Sequence, residues 1–406
     1  MERRNLLKGL SLLPFAGGTL GSVIPSSFVE ASPTSKGDVL EKLGLRTFIN
    51  AAGTYTSMTA SLMPQEVMDA INATAKEFVM LDEVQDKVGE KIAAMCHAEA
   101  AMVTAGCWSA IVLGMAGVLT GKDAKKIAQL PMLEGTGMKS EVIIQKTHIA
   151  GYDHALTNTG VKIIPVETLD EAERAINDKT ALMWFLNKEA ESGQVKHEAF
   201  IALAKKHNIP TMIDMAADVP PVENLWKYND MGFDLVCISG GKAICGPQSA
   251  GILMGKKDLI AAARLNGPPK GGNIGRGMKV NKEEMIGMYV ALESYINRDH
   301  KKEWKMWEDR IAVINNAVKN IAGVTTEIII PPIANHTPSL MIAWDNSKIK
   351  LTKESLGEKL RNSKPSIETV SWEKDNSIRI TVFMLKPGQE KTVATRIKEE
   401  LVAASA

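Results

Sequence analysis

Seven short apolar segments run through the middle of the sequence: AAMVTAG (100–106), EVIIQK (141–146), KIIPV (162–166), ALMWFL (181–186), TMIDM (211–215), DLVCIS (234–239) and AGILMG (250–255). None alternates cleanly between apolar and polar residues, so each strand must be covered on both faces. Helical patterns separate most of them. Strands of this kind, joined through helices, imply a mainly parallel sheet with helices on either side, which confines the chain to the α/β class. Residues 65–96 predict a long amphipathic helix, and 281–322 a long connecting helix broken once. Beyond it, strands near 325–330, 339–345, 366–370 and 377–383 interleave with two helices, the pattern of a smaller α+β domain. The expected plan is an arm over 32–64, a large domain over 65–280, and the connecting helix with the small domain over 281–406.

A chain of 406 residues, 45% of them hydrophobic, can bury a core of that size. Its formal net charge is +1 with no basic stripe, which argues against a nucleic-acid partner and for a small-molecule one. No apolar run of spanning length follows the first thirty residues, so no membrane span is expected in the mature chain. Cys96, Cys107, Cys237 and Cys245 show no CxxC spacing and no paired histidines, and no metal site is expected. All four sit in apolar or glycine-rich surroundings, as buried thiols do, with a disulfide left open.

Residues 1–31 read as an address. Arg3 and Arg4 are adjacent, Leu6, Leu7 and Lys8 follow, and a mildly apolar stretch ends at Val29 and Ala31, small residues suited to cleavage. This resembles a twin-arginine export signal, the alternative being an ordinary secretory signal. Both place the mature protein outside the cytoplasm, and the twin-arginine route, a periplasmic one, carries proteins already folded around a cofactor.

The chemistry gathers around Ser239-Gly240-Gly241-Lys242. A strand enters this turn, and the glycines let it deliver Lys242 at the carboxyl end of the sheet, where open α/β sheets bind ligands. A partly desolvated lysine there suits Schiff-base chemistry; in isolation it could equally be a solvated loop residue. The stretch is no nucleotide P-loop, because Ala243 follows the lysine where a serine or threonine is required. Asp214, one strand earlier, is placed to face the ring nitrogen of pyridoxal 5'-phosphate, whose protonated ring withdraws electrons from a substrate carbanion. The local alternative for it is a turn or cap.

Gly106, Cys107 and Trp108 open a helix after a strand, and free N–H groups at such a terminus can seat the cofactor phosphate. Ser239 either adds a hydrogen bond to that phosphate or satisfies nearby backbone. His148, just past EVIIQK, is a planar ring that can lie over the cofactor or a surface histidine, and Trp108 either stacks there or packs under its helix.

INAAGTYT (49–56), AAMVTAGCWSA (100–110), IDMAADVPPVENL (213–225) and SGGKAICGPQSAGILMG (239–255) together resemble the selenocysteine synthase-like group of pyridoxal-phosphate enzymes. That group includes L-seryl-tRNA(Sec) selenium transferase and D-glucosaminate-6-phosphate ammonia lyase. The resemblance spans about 43–400 and implies fold type I, the aspartate-aminotransferase-like fold, with Lys242 as the Schiff-base lysine and Asp214 on the ring nitrogen. It also implies a homo-oligomer with active sites between subunits. In GRGMKVNKEE (275–284) it makes Arg276 a phosphate contact, within or across subunits, against a plain surface arginine.

The resemblance departs at the amino terminus, where the selenium transferase carries a tRNA-binding region and this chain an export signal. That favours the ammonia-lyase branch: α,β-elimination from an amino acid or amino-sugar acid, with Lys242 removing the α-proton. Arg379, in SIRITVF, is either a clamp for the substrate carboxylate or part of a structural ion pair. The alternatives are selenium or sulfur transfer, transamination or racemisation, or a pyridoxal-phosphate fold without catalysis.

Overall fold

The computed structural model describes residues 38–370 and 375–405. The export signal expected over residues 1–31 lies outside them. Backbone packing divides the chain into two units, Met1–Thr47 and Phe48–Ala406; the described part of the first holds one short helix, Asp38–Lys42.

Within the second unit, strand β1 (Phe48–Asn50) comes first. Then follow β2 (Ala100–Thr104), β3 (Glu141–Gln145), β4 (Lys162–Val166), β5 (Thr180–Leu186), β6 (Thr211–Asp214), β7 (Leu235–Ser239) and β8 (Gly251–Gly255). Strands β2 to β8 are the seven apolar segments, and they form one sheet in the order β2-β8-β7-β6-β5-β3-β4. Strand β8 runs antiparallel to both its neighbours, and the other pairings are parallel.

The lack of polar alternation has the expected cause. In β5 every residue is buried: Met183 and Phe185 enter the core layer on one face, and Leu182, Trp184 and Leu186 the layer on the other. Neither face meets water, so neither can carry polar side chains.

One helical expectation changes in detail, and the expected single break of the connecting helix is present. Residues 65–96 form two helices, Gln65–Thr74 and Leu81–Met95. The first stops where Lys282 Nζ donates to the Thr74 carbonyl at 2.6 Å, and the second starts with Asp82 and Glu83 in its first turn, where the helix dipole favours acids. The connecting helix is broken between Lys282–Ile296 and His300–Val318. Asn281 caps the first piece with a reciprocal Glu284 bond, and Asp299 caps the second.

The carboxy-terminal third holds β9 (Val324–Ile329), β10 (Ser339–Trp344), β11 (Ser366–Glu368) and β12 (Ser377–Thr381). Strands β12-β10-β9 make an antiparallel sheet over a third core, which the helices His300–Val318 and Gln389–Ala403 share. Strand β11 leaves that sheet and pairs in parallel with β1, Phe48 beside Ser366. Ala51 N–H then bonds the Glu368 carbonyl at 3.0 Å and the Ala51 carbonyl accepts from Thr381 N–H at 2.9 Å, so the INAAGTYT stretch is held beside β12. No helix among the described residues is long and apolar enough to cross a membrane.

Candidate active site

Lys242 follows β7 in a tight turn. Gly240 N–H bonds Ala250 O at 2.8 Å, Cys245 N–H bonds Lys242 O at 2.9 Å, and Ser61 Oγ donates to Gly241 O at 2.7 Å. A Cβ on Gly241 would lie 2.5 Å from Gln248 Cα, so only glycine lets this turn close. The result is a half-buried lysine at the carboxyl edge of the sheet.

Asp214 is the last residue of β6, opposite Leu186 of β5 and Cys237 of β7, and is 3% exposed. Its Oδ1 accepts from Ala216 N–H at 2.9 Å and from Cys107 Sγ at 3.4 Å. Burial pushes this carboxyl above its ordinary range, while the Ala216 N–H and the nearby Lys242 charge pull it back. Burial also raises the Cys107 thiol well above its usual value, which keeps it a proton donor to Asp214.

Lys242 and Asp214 line one cavity of about 400 Å³. Segments remote in sequence build the rest of its wall: Thr54 and Tyr55 after β1, Tyr152, Lys188 and Asp218, and Asn335 with Arg379 from the three-stranded sheet and its loop. Asn335 N–H bonds Ala217 O at 2.8 Å, and Thr54 Oγ1 donates to Asn335 Oδ1 at 3.3 Å, tying three of these segments together. Lys188 Nζ lies 5.5 Å from the centre of the Tyr152 ring and 3.3 Å from Glu189 Oε1.

The helix Gly106–Thr120 starts beside this site. Its N-cap, Ala105, offers no side-chain cap, so the first-turn N–H groups have no side-chain acceptor there. Gly106 has φ +82°, and a Cβ on Gly251 would come 2.4 Å from the Gly106 carbonyl carbon, so the helix end can rest directly on β8. Cys107 links this end to Asp214. Trp108 is 41% exposed and does not line the cavity. Ser239 and Arg276 do not line it either: Ser239 ends β7 and Arg276 is exposed on a loop. Arg379, on β12 beside Met341, does line it.

His148 is elsewhere. It is fully buried, its Nδ1 accepts from Leu186 N–H at 3.1 Å, its Nε2 lies 3.3 Å from Gln145 Nε2, and its ring meets Phe185 edge-on at 4.5 Å. Burial holds its pKa down at about 4. It neither lies over the cavity nor reaches the surface: the turn at Lys146–His148 rotates the imidazole into the core.

Three parts of the cavity fit pyridoxal phosphate: an amine for the aldehyde, a buried carboxylate for the ring nitrogen, and a volume of ligand size. The uncapped helix terminus suited to the phosphate lies behind Asp214, and Gly106 and Cys107, like Trp108, do not line the cavity. The four cysteines are free thiols, three of them buried. Among the described residues no group of three or more His, Cys, Asp or Glu is placed to hold a metal ion.

Sequence reasoning missed Asp218, Lys188, Tyr152 and the polar residues of the 331–339 loop. Asp218 had a signal, a second acid four residues past Asp214 in an apolar stretch. The others carried none, because they reach the cavity from unrelated segments.

Residues 156–286 match the model of the family described as Aminotransferase class-V. The chain is 26% identical over 378 residues to the D-glucosaminate-6-phosphate ammonia lyase of Salmonella typhimurium (strain 14028s / SGSC 2262), covering 89% of this chain and 97% of the relative. It is 24% identical over 376 residues to the L-seryl-tRNA(Sec) selenium transferase of Aquifex aeolicus (strain VF5), covering 81% and 78%. A solved structure of D-glucosaminate-6-phosphate ammonia-lyase superposes with a TM-score of 0.78 at 25% identity, covering 91% of this chain and 100% of the other. The expected resemblance to the selenocysteine synthase-like group is borne out, as is pyridoxal phosphate as the cofactor. The chain is a pyridoxal-phosphate enzyme with the aspartate-aminotransferase-like fold of fold type I.

Proposed function

We propose that the chain is an ammonia lyase that eliminates a β-substituent from an amino acid or amino-sugar acid, giving a keto acid and ammonia. The observation that carries this reading is the shared cavity of Lys242 and Asp214, with Arg379 lining it from another sheet. When bound, pyridoxal phosphate supplies an electron sink for the negative charge that forms at the substrate's α-carbon. Lys242 Nζ would hold the cofactor by its aldehyde, and the same amine is the base placed to take the α-proton. Asp214 holds a proton at the ring nitrogen. Arg379 pairs with the substrate carboxylate, whose position decides which bond at the α-carbon is broken. The 331–339 loop and Thr54 close the cavity and keep bulk water from the reacting carbons. The likeness to an ammonia lyase along nearly its whole length favours this branch.

We also read residues 1–31 as a twin-arginine signal that sends the folded enzyme out of the cytoplasm, on the strength of Arg3, Arg4 and the small residues at Val29 and Ala31. The division into domains at 65–280 and 281–406 is our reading too, supported by the seven-stranded sheet falling within the first and the antiparallel sheet within the second. A homo-oligomer fits the exposed Phe78, Val79, Met80 and Trp108, apolar surface that a second copy could cover. We also read the exposed Arg276 as a contact to a neighbouring subunit's site.

The test is a screen of D- and L-amino acids and amino-sugar acids with the purified holoenzyme, reading keto acid and ammonia. Release of both in equal amounts is expected. Cofactor bound with no substrate consumed overturns the lyase reading, and tight tRNA binding in its place would point to the transferase.

A further inference from the structure

The cavity holds a second carboxyl group that the reading above leaves without a task. Asp218 is 1% exposed and lines the same wall as Asp214 and Lys242. Among the described residues, the only hydrogen bond to its carboxylate comes from Asn187 Nδ2 to Oδ2 at 2.8 Å. Asn187 is itself fixed, because Nδ2 also donates to the Tyr228 hydroxyl at 2.7 Å and Oδ1 meets His197 Nε2 at 2.7 Å.

That mounting is uncharged. Burial holds His197 down at about 4, so its imidazole is neutral at neutral pH, and burial lifts Tyr228 to about 12, so it stays a phenol. The charged groups that act on Asp218 are therefore Asp214, Lys242 and Lys188. Burial dominates and pushes Asp218 up to about 7, the nearby Asp214 adding to the rise and the Asn187 bond opposing it. Two carboxyls in one cavity thus have different surroundings. Asp214 receives two hydrogen bonds, one of them from backbone N–H, whereas Asp218 receives one from a neutral amide. Paired acids in unlike environments are how one site divides acid from base work.

We propose that Asp218 is the general acid of this site, giving its proton to the β-oxygen of the substrate as the Cβ–O bond breaks. This rests on the lyase reading. The α-proton passes to Lys242 Nζ, the Cα–H electron pair becomes the second bond between Cα and Cβ, and the Cβ–O pair leaves with the oxygen. The Asp218 proton completes a water molecule, and the Lys242 ammonium returns a proton to the Asp218 carboxylate. No oxidant or reductant is needed.

The experiment compares Asp218→Asn with the wild-type holoenzyme on two probes: the β-hydroxy acid that the wild type turns over, and β-chloroalanine of the same configuration. Chloride leaves without a proton, and hydroxide does not. A general acid contributes about 10²–10⁴-fold, so the ratio of kcat/KM on the chloro probe to that on the hydroxy probe should rise by roughly a hundredfold or more in the variant. A second readout needs no activity. Infrared difference spectra of cofactor-free protein across neutral pH should show a carboxylic-acid C=O band in the wild type that Asp218→Asn lacks.

An unchanged ratio, or the same infrared band in both proteins, overturns the proposal and leaves the lyase reading standing. A wild type that eliminates nothing overturns both. Should Asp218→Asn fail to fold, Asn187→Ala keeps the carboxyl but removes its mounting, and an unchanged ratio there would equally overturn the role.

Discussion

Cys107 Sγ donates to Asp214 Oδ1 across 3.4 Å, joining the first turn of a buried helix to the last residue of a central strand. The thiol is held protonated by its burial, so the contact is a one-way donation. It places the helix end, with its uncapped N–H groups, one side chain away from Asp214. The proposed phosphate seat and the proposed partner of the ring nitrogen are thereby linked through one hydrogen bond.

Asp214→Asn should fold, since an amide fills the same space and can still accept from Ala216 N–H. Without the carboxylate the ring nitrogen loses its proton, and kcat should fall by about 100-fold or more while cofactor stays bound. Steady-state rates and absorbance measured on the same sample check this. Undiminished turnover would remove Asp214 from the chemistry.

Asp218 sets a pH dependence on stability. Its folded pKa, about 7, lies above the value of 3.8 expected in the unfolded chain, so between these limits the folded state binds more protons. Stability therefore falls as pH rises through this window, and it is flat above the folded value. Chemical denaturation of the cofactor-free protein should show Asp218→Asn gaining a few kcal/mol on the wild type between pH 4 and pH 8. A gap that does not change with pH would contradict the assignment.

His148→Ala tests the opposite kind of residue. It leaves Leu186 N–H without its acceptor inside the core, which costs about 1–3 kcal/mol before any loss of packing against Phe185. Denaturation should show that loss, and cofactor affinity measured by absorbance should move by less than about threefold. A large drop in cofactor affinity at unchanged stability would restore the stacking role.

The sheet was legible because burial on both faces writes unbroken apolar runs, as β5 shows with all its residues inside. The Lys242 turn was legible because Gly241 leaves no room for any side chain against Gln248. Asp214 was legible as an acid ending an apolar strand. The split of residues 65–96 was not, because a lysine from another helix, Lys282, ends the first piece at Thr74. His148 was misread because the direction of one turn decides between core and cavity, and spacing does not carry direction. Arg379 was legible as an arginine set in an apolar strand. Thr54 and Asn335 were hidden for a related reason: they meet only after β1, β11 and β12 have packed, and single polar residues leave no periodic trace.

Whether Lys242 carries the cofactor is decided by loading the protein with pyridoxal phosphate, reducing with borohydride and mapping the modified peptide by mass spectrometry. A single phosphopyridoxyl group on Lys242, absent from Lys242→Ala, is the expected result. Modification of Lys188, the other lysine lining the cavity, or of surface lysines alone would contradict it.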